Sequence, residues 1–226
     1  MVALGTLERT TSSDVVFDEL FEKITRLELL PGTKISETDV AKSFGYSRQP
    51  VREAFTRLAN LNLLMVRPQR ATIVRPFSRK LISNARFVRT AVELEVVRAA
   101  ALDRNKSVDA ALKTNLREQA DAISAGDVGA FHDLDYQFHK LLCASAKQTF
   151  AFEIIADNKA QVDRLCMLAL TSKEAMETLY HDHQALLQAL FSGQEQVADQ
   201  ILRTHLDRLT PTIDAIYTTH NAYFDD

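Results

Sequence analysis

Asp135 and His139 stand four residues apart in the run Asp-Tyr-Gln-Phe-His, a spacing that puts both side chains on one face of a helix. Phe131 and Leu142 bracket that face, so it points toward a protein interior. His183 falls on the stripe of Met176, Leu179, Leu186, Leu187 and Leu190, and His205 on the stripe set by Val197 and Ile201. Four polar groups on apolar stripes require partners. If Ser192-Gly193 turns the chain between two antiparallel helices, His183 lies ten residues before Gly193 and His205 twelve after it. Their heights above the turn are then about 15 and 18 Å, and the two rings are level. Three imidazoles and one carboxylate make a ligand set for a divalent transition metal, with a position left for water or an anion. This requires the helices over 133–145 and 178–191 to be neighbours. The competing reading is a set of core histidines satisfied by ordinary hydrogen bonds. His132, His181 and His220 fall off these stripes and read as surface residues. No His-Glu-x-x-His motif puts a general base beside the metal, so catalysis gains no support.

A second chemistry is electrostatic. The net charge is -3, yet residues 1–78 carry 11 Lys and Arg against 9 Asp and Glu, leaving 16 against 21 for residues 79–226. Between Lys42 and Arg75 there are seven basic residues and a single acid, Glu53. Such a concentration is the footprint of a nucleic-acid contact, although a solvated basic face has the same composition.

The elements that would position these groups can be read from pattern. Phe17, Leu20, Phe21, Ile24 and Leu27 recur at helical spacing between a Ser12/Ser13 cap and Pro31-Gly32. Ser36-Glu37-Thr38-Asp39 starts a short second helix that Gly45 ends. Ser47 then caps a third helix with Pro50 in its first turn and Val51, Phe55 and Leu58 as its buried stripe. Arg48, Gln49 and Arg52 are left on the outer face, where a major groove could receive them. Leu63 to Val66 and Thr72 to Val74 are β-prone runs around Pro68-Gln69-Arg70, predicting a hairpin whose basic tip brings Arg70 to a minor groove or the backbone.

From Lys80 onward the apolar period is helical throughout: Leu81, Ala85, Val88, Val92, then Leu112, Leu116, Ala120, Ile123, then Phe131, Phe138, Leu142. Breaks near 103–107, at Gly126, and near 147–149, 171–173 and 192–193 predict about six helices. The fold class is therefore mostly α: an N-terminal winged helix-turn-helix over 1–78, then an antiparallel bundle over 79–226. Composition agrees, with 46% hydrophobic residues, 6 Gly, 5 Pro and no Trp in 226 residues. Two cysteines cannot make a disulfide framework, no apolar run reaches the roughly 20 residues of a membrane span, and a cytoplasmic location is expected.

Pro31-Gly32, Ile35-x-Glu37 and Gly45-Tyr46-Ser47-Arg48-Gln49-Pro50-Val51-Arg52-Glu53-Ala54 together resemble the winged-helix signature of GntR-type transcription regulators. The resemblance implies operator contacts from Ser47, Arg48 and Arg52, with Thr38 and Arg70 assisting. The sequence departs from the pattern at Asn62 and Ala71, where glycine is usual. Asp135-x-x-Phe138-His139, Asp182-His183 and His205 are similar to the all-helical, metal-containing FCD domain of the FadR-like branch. That likeness implies a zinc- or nickel-like ion on Asp135, His139, His183 and His205, and a small organic acid docked on it. Arg89-x-x-Val92-Glu93 matches the family's Arg-x-x-Leu-Glu, which implies that Arg89 holds the effector carboxylate. An Arg89–Glu93 ion pair, worth about 0.5 kcal/mol on a helix surface, is the alternative. The resulting expectation is a homodimeric, non-enzymatic regulator, more often a repressor, that binds double-stranded operator DNA and a small carboxylate. A metal-dependent hydrolase and a regulator answering to the ion itself are the rival readings of the same four ligands.

Overall fold

The computed structural model describes residues 11–67, 70–169 and 173–225. Backbone contacts divide the chain into two compact units, Met1–Pro76 and Phe77–Asp226.

In the first unit, α1 (Ser12–Thr25) begins at Thr11, whose hydroxyl accepts from the Asp14 N–H while the Asp14 carboxylate accepts from the Thr11 N–H, a reciprocal cap. Its buried stripe is Val16, Leu20 and Ile24; Phe17 and Phe21 are only half-buried, and Leu27 lies beyond the helix end. α2 (Glu37–Phe44) starts at Ser36, whose hydroxyl accepts from the Thr38 and Asp39 N–H groups, and stops at Gly45 in the left-handed conformation. α3 (Arg48–Asn60) buries Val51, Ala54, Phe55 and Leu58 and packs against α1 and α2. Burying each such aliphatic or aromatic side chain contributes about 1.5–3 kcal/mol. Arg57 ties the two longer helices at their edge, donating to Asp14 at 2.8 Å with its guanidinium 3.9 Å from the Phe17 ring centroid.

The predicted hairpin strands are β2 (Leu64–Met65) and β3 (Thr72–Val74). The sheet has a third strand that the pattern did not announce, β1 (Lys34–Ile35), pairing antiparallel with β3 in the order β1-β3-β2. Two residues are too few to display a period of two. Pro68 and Gln69, expected at the hairpin tip, lie outside the described residues.

The second unit contains seven α-helices among the described residues rather than six. They are α4 (Arg79–Asp103), α5 (Asp109–Ala125), α6 (Val128–Ser145), α7 (Ala151–Ala169), α8 (Lys173–Phe191), α9 (Glu195–Asp207) and α10 (Leu209–Thr219). The additional break falls at Arg208. Pro211 is the cause: its ring clashes with a carbonyl four residues back, at Asp207, so the helix cannot run through and Pro211 sits in the first turn of a new one. α4 is the spine, packing against α6, α7, α8 and α9. Its buried face carries Ile82, Ala85, Arg89, Glu93, Leu94, Val96, Val97 and Ala100; of the expected stripe Ala85 is buried, while Leu81, Val88 and Val92 are only half-buried. α6 packs chiefly on α5, α4 and α7, and α8 on α9, α5 and α4. The expected neighbourhood of α6 and α8 is narrower than a helix-on-helix contact: the Phe138 ring stacks on His183 with centroids 4.2 Å apart.

After α10 the chain returns to the start of this unit. Phe77 N–H donates to the Tyr223 carbonyl at 2.7 Å and Asp225 N–H to the Phe77 carbonyl at 3.0 Å. The buried Phe77 ring lies between Phe224, 5.2 Å away, and the guanidinium of Arg164, 4.6 Å away.

Candidate metal centre and nucleic-acid interface

Asp135 and His139 project from one face of α6, His183 from the middle of α8 and His205 from the end of α9. One ligand atom from each of the four lies within 4.8 Å of every other. The α8–α9 turn does level the two histidines, with ring centroids 4.8 Å apart. His139, His183 and His205 are buried, and Asp135 is partly open.

Each imidazole turns its Nδ1 edge to a polar side chain, and for His183 the contact is a hydrogen bond. His139 Nδ1 lies 2.6 Å from Glu93 Oε2, and Glu93 Oε1 accepts from Arg89 Nε at 2.7 Å. Burial pushes the Glu93 carboxyl up, but the Arg89 guanidinium, with the Nδ1 edge of His139 beside it, outweighs it and keeps the group well below the usual carboxylate range. His183 Nδ1 lies 2.9 Å from Gln119 Oε1, Gln119 Nε2 donates to Asn115 Oδ1 at 2.7 Å, and Asn115 Nδ2 donates to the Leu134 carbonyl at 3.0 Å. That terminal carbonyl can only accept, so the chain of bonds runs one way and assigns the proton to His183 Nδ1. Burial, with His205 nearby, holds His183 well below its ordinary value, so it is the neutral imidazole that a metal requires. His205 Nδ1 lies 3.5 Å from Asp182 Oδ2.

The Nε2 edges of His183 and His139 turn to Asp135. His183 Nε2 and His139 Nε2 are buried with no hydrogen-bond partner, and stand 3.5 and 3.8 Å from Asp135 Oδ1, beyond a good hydrogen bond. Orphaned lone pairs facing a carboxylate, each fixed in tautomer from behind, fit a divalent transition ion and are costly without one.

A cavity of about 330 Å3 opens onto this cluster, with Asp135, His139 and His205 in its wall beside Arg86, Arg89 and Arg208. Each of these arginines is already paired with a carboxylate, Arg86 with Asp207 at 3.3 Å, Arg89 with Glu93, and Arg208 with Asp182. Arg89 thus makes the ion pair and lines the cavity at once, in the interior rather than on a helix surface. His132, expected on the surface, is half-buried and lines the same cavity as Leu179 of α8 and Leu209 of α10. Neither Cys143 nor Cys166 is in a disulfide; burial pushes the Cys143 thiol up to about 12, which makes it inert.

In the first unit, Arg48, Gln49 and Arg52 are exposed on the face of α3 opposite Val51, Phe55 and Leu58. Ser47 occupies the N-cap position but its hydroxyl makes no capping bond. Pro50 stands at the third helical position, where a capping hydroxyl would otherwise find an N–H. The hydroxyl and the exposed N–H groups of the first turn therefore face outward, as an anion site requires. Thr38 on α2 and Arg70 after β2 are also exposed. Asn62, at the position where the resembled pattern has glycine, has φ +58, so it fills the glycine's conformational role.

Glu93, Asn115, Gln119 and Asp182, which hold the imidazoles from behind, were not singled out from the sequence as partners of the histidines. The usable signal was the i, i+4 pairing of Arg89 with Glu93 and of Asn115 with Gln119 on otherwise apolar faces.

A helix-turn-helix with a paired-strand wing, joined to a helical bundle with a buried polar cluster, defines a DNA-binding transcription regulator. The model of the family "Bacterial regulatory proteins, gntR family" matches residues 12–74, and that of the FCD domain matches residues 85–208. The chain belongs to the GntR family, with an FCD domain. It is 32% identical over 211 residues to the HTH-type transcriptional repressor RspR of Escherichia coli, covering 93% of this chain and 92% of that one. It is 28% identical over 206 residues to a protein of Paenarthrobacter nicotinovorans named "Probable D-xylose utilization operon transcriptional repressor", covering 91% and 90%. The solved structure of E. coli McbR/YncC shares the fold, with a TM-score of 0.78 at 20% identity over 94% of this chain and all of that one. No helix among the described residues is long and apolar enough to cross a membrane.

Proposed function

We propose that this regulator is a homodimeric repressor that senses a small organic acid through a metal held by Asp135, His139, His183 and His205. Two copies of α3 would read the half-sites of a near-palindromic operator, Arg48, Gln49 and Arg52 reaching base edges and Ser47, Thr38 and Arg70 contacting phosphates or the minor groove. Zinc or nickel suits three imidazoles and one carboxylate, and supplies a Lewis-acidic position for a carboxylate oxygen. The observation that carries the reading is the shared wall: the cavity that reaches the Asp135 and histidine cluster is also lined by Arg86, Arg89 and Arg208, guanidinium donors that a small acid would meet alongside their carboxylate partners. An acid that releases the operator does so only through its difference in affinity between the bound and free forms of the protein.

The comparisons favour a regulator over a metal-dependent hydrolase. Elemental analysis of freshly purified protein, followed by operator binding with and without zinc or nickel and a panel of two- to six-carbon acids, tests the proposal. One ion per chain in the wild type, none in His183→Ala, and operator release by an acid that emerges unaltered are expected. Protein that takes up no stoichiometric ion on reconstitution overturns the metal, and operator affinity that follows the ion alone makes the metal itself the signal. In the same assay Arg48→Ala loses about 1–3 kcal/mol of specific binding.

A further inference from the structure

The Nδ1 edges of the three histidines are not held alike. His183 is backed by a neutral amide chain sealed inside the unit, from Gln119 through Asn115 to the Leu134 carbonyl. His139 is backed by the buried Glu93 and Arg89. His205 Nδ1 faces Asp182 Oδ2 across 3.5 Å, longer than a good hydrogen bond, and Asp182, only 13% exposed, takes two hydrogen bonds from Arg208, Nε to Oδ2 at 2.6 Å and Nη2 to Oδ1 at 2.9 Å. The Arg208 side chain is 41% exposed and lines the cavity. Arg208 is also the residue at which α9 breaks and α10 begins, so the fork that grips Asp182 comes from the joint between two helices rather than from a helix middle.

Resting on the metal centre proposed above, we infer that Asp182 is a positioning residue for His205 and that Arg208 sets the centre's metal affinity by fixing Asp182. A ligating imidazole needs its second nitrogen oriented by an acceptor, and a carboxylate there both fixes the ring and strengthens its donation to the ion. Asp182 stands in that place. A lone carboxylate on a helix can rotate away from the ring; the two parallel N–H bonds of a guanidinium remove that freedom, and an ammonium cannot reproduce the planar fork. The consequence is a three-residue relay, Arg208 to Asp182 to His205, that runs from the cavity wall into the ligand cluster. Its members come from α8, α9 and the joint preceding α10. The His183 chain, made of amides within the interior, has no comparable opening.

The test is zinc affinity of the full chain, measured by competition with a chromophoric chelator, for the wild type, Asp182→Asn, Arg208→Gln, Arg208→Lys and the double variant Asp182→Asn/Arg208→Gln. Asp182→Asn and Arg208→Gln each weaken zinc binding 10- to 100-fold, the range seen for outer partners of ligating histidines. Arg208→Lys recovers part of the loss, and the double variant is no weaker than Asp182→Asn, since both substitutions cut one path. Thermal midpoints of the metal-free proteins separate this from general destabilisation; the exposed Arg208 makes its variants the safer pair should Asp182→Asn fold poorly. Arg208→Gln with zinc affinity within twofold of the wild type overturns the inference. So does a double variant whose loss is the product of the two single losses. A wild type that takes up no zinc or nickel defeats the metal centre itself before the relay is reached.

Discussion

Arg48 Nη2 donates to Glu37 Oε2 at 3.4 Å, so the first residue of α3 is paired with the first residue of α2. The same oxygen lies 3.5 Å from Arg52 Nε. One acid thus stands beside both outward arginines of α3, the pair proposed to meet DNA. Both arginines are about 60% exposed, so the pairs are worth little in stability, and their effect is on orientation and local charge.

Glu37→Gln should therefore raise affinity for arbitrary duplex by removing a negative charge near the phosphates, while lowering the preference for the operator because the arginines lose their common anchor. A severalfold fall in the ratio of operator to random-duplex affinity, read by competition at fixed salt, is the expected outcome. An unchanged ratio would show that the arginines find their register without Glu37.

Asn62 at φ +58 is a strain that asparagine tolerates and alanine does not. Asn62→Ala should lose about 1 kcal/mol of stability and Asn62→Gly should lose none. Urea midpoints of the two variants decide this, and equal midpoints would remove the backbone argument.

Asp14 is held at about 2, against an ordinary 3.8, first by the Thr11 hydroxyl, then by the Thr11 N–H and Arg57. A carboxyl lowered on folding stabilises the folded chain fully above its ordinary value and ceases to do so as the pH falls through the folded one. The stability advantage of the wild type over Asp14→Asn should be constant from neutral pH to about pH 4, shrink below that, and vanish near pH 2. Parallel denaturation curves that stay apart at pH 2 would contradict it.

Gln119 joins two buried groups, His183 and Asn115. Gln119→Leu keeps the volume nearly unchanged but leaves both unpaired, at about 1–3 kcal/mol for each orphaned group. A lowered thermal midpoint is expected, together with weaker metal uptake because His183 Nδ1 loses the acceptor that fixes its tautomer. Unaltered metal uptake would show that the amide chain serves stability alone.

The convergence of Asp135, His139, His183 and His205 was legible because i, i+4 spacing and distance from a glycine turn are linear quantities that survive folding. α3 was legible for a similar reason, since Pro50 in its first turn and an apolar stripe are local. On α4 and α5 the reading was half right: Ala85, Leu112 and Ile123 are buried as expected, while Arg89, Glu93, Asn115 and Gln119 take the buried places and leave Leu81, Val88, Val92, Leu116 and Ala120 only partly covered. Polar residues on a buried face erase the signal that would locate that face. The division of the last helix was equally available, in Pro211, but a continuing apolar period through Ile213 and Ile216 concealed it.

Phe77 and the stretch from Tyr223 to Asp225 join the opening and closing segments of the helical unit edge to edge. The unit is thus a closed circuit in which the place where the backbone is cut is arbitrary with respect to the packing. Covalently sealing residue 225 to residue 77 through a short bridge and reopening the chain at the exposed Lys147 and Gln148 would preserve the order of neighbours around the four ligands. The ligand cluster could then be carried on a permuted scaffold free of any DNA-reading partner.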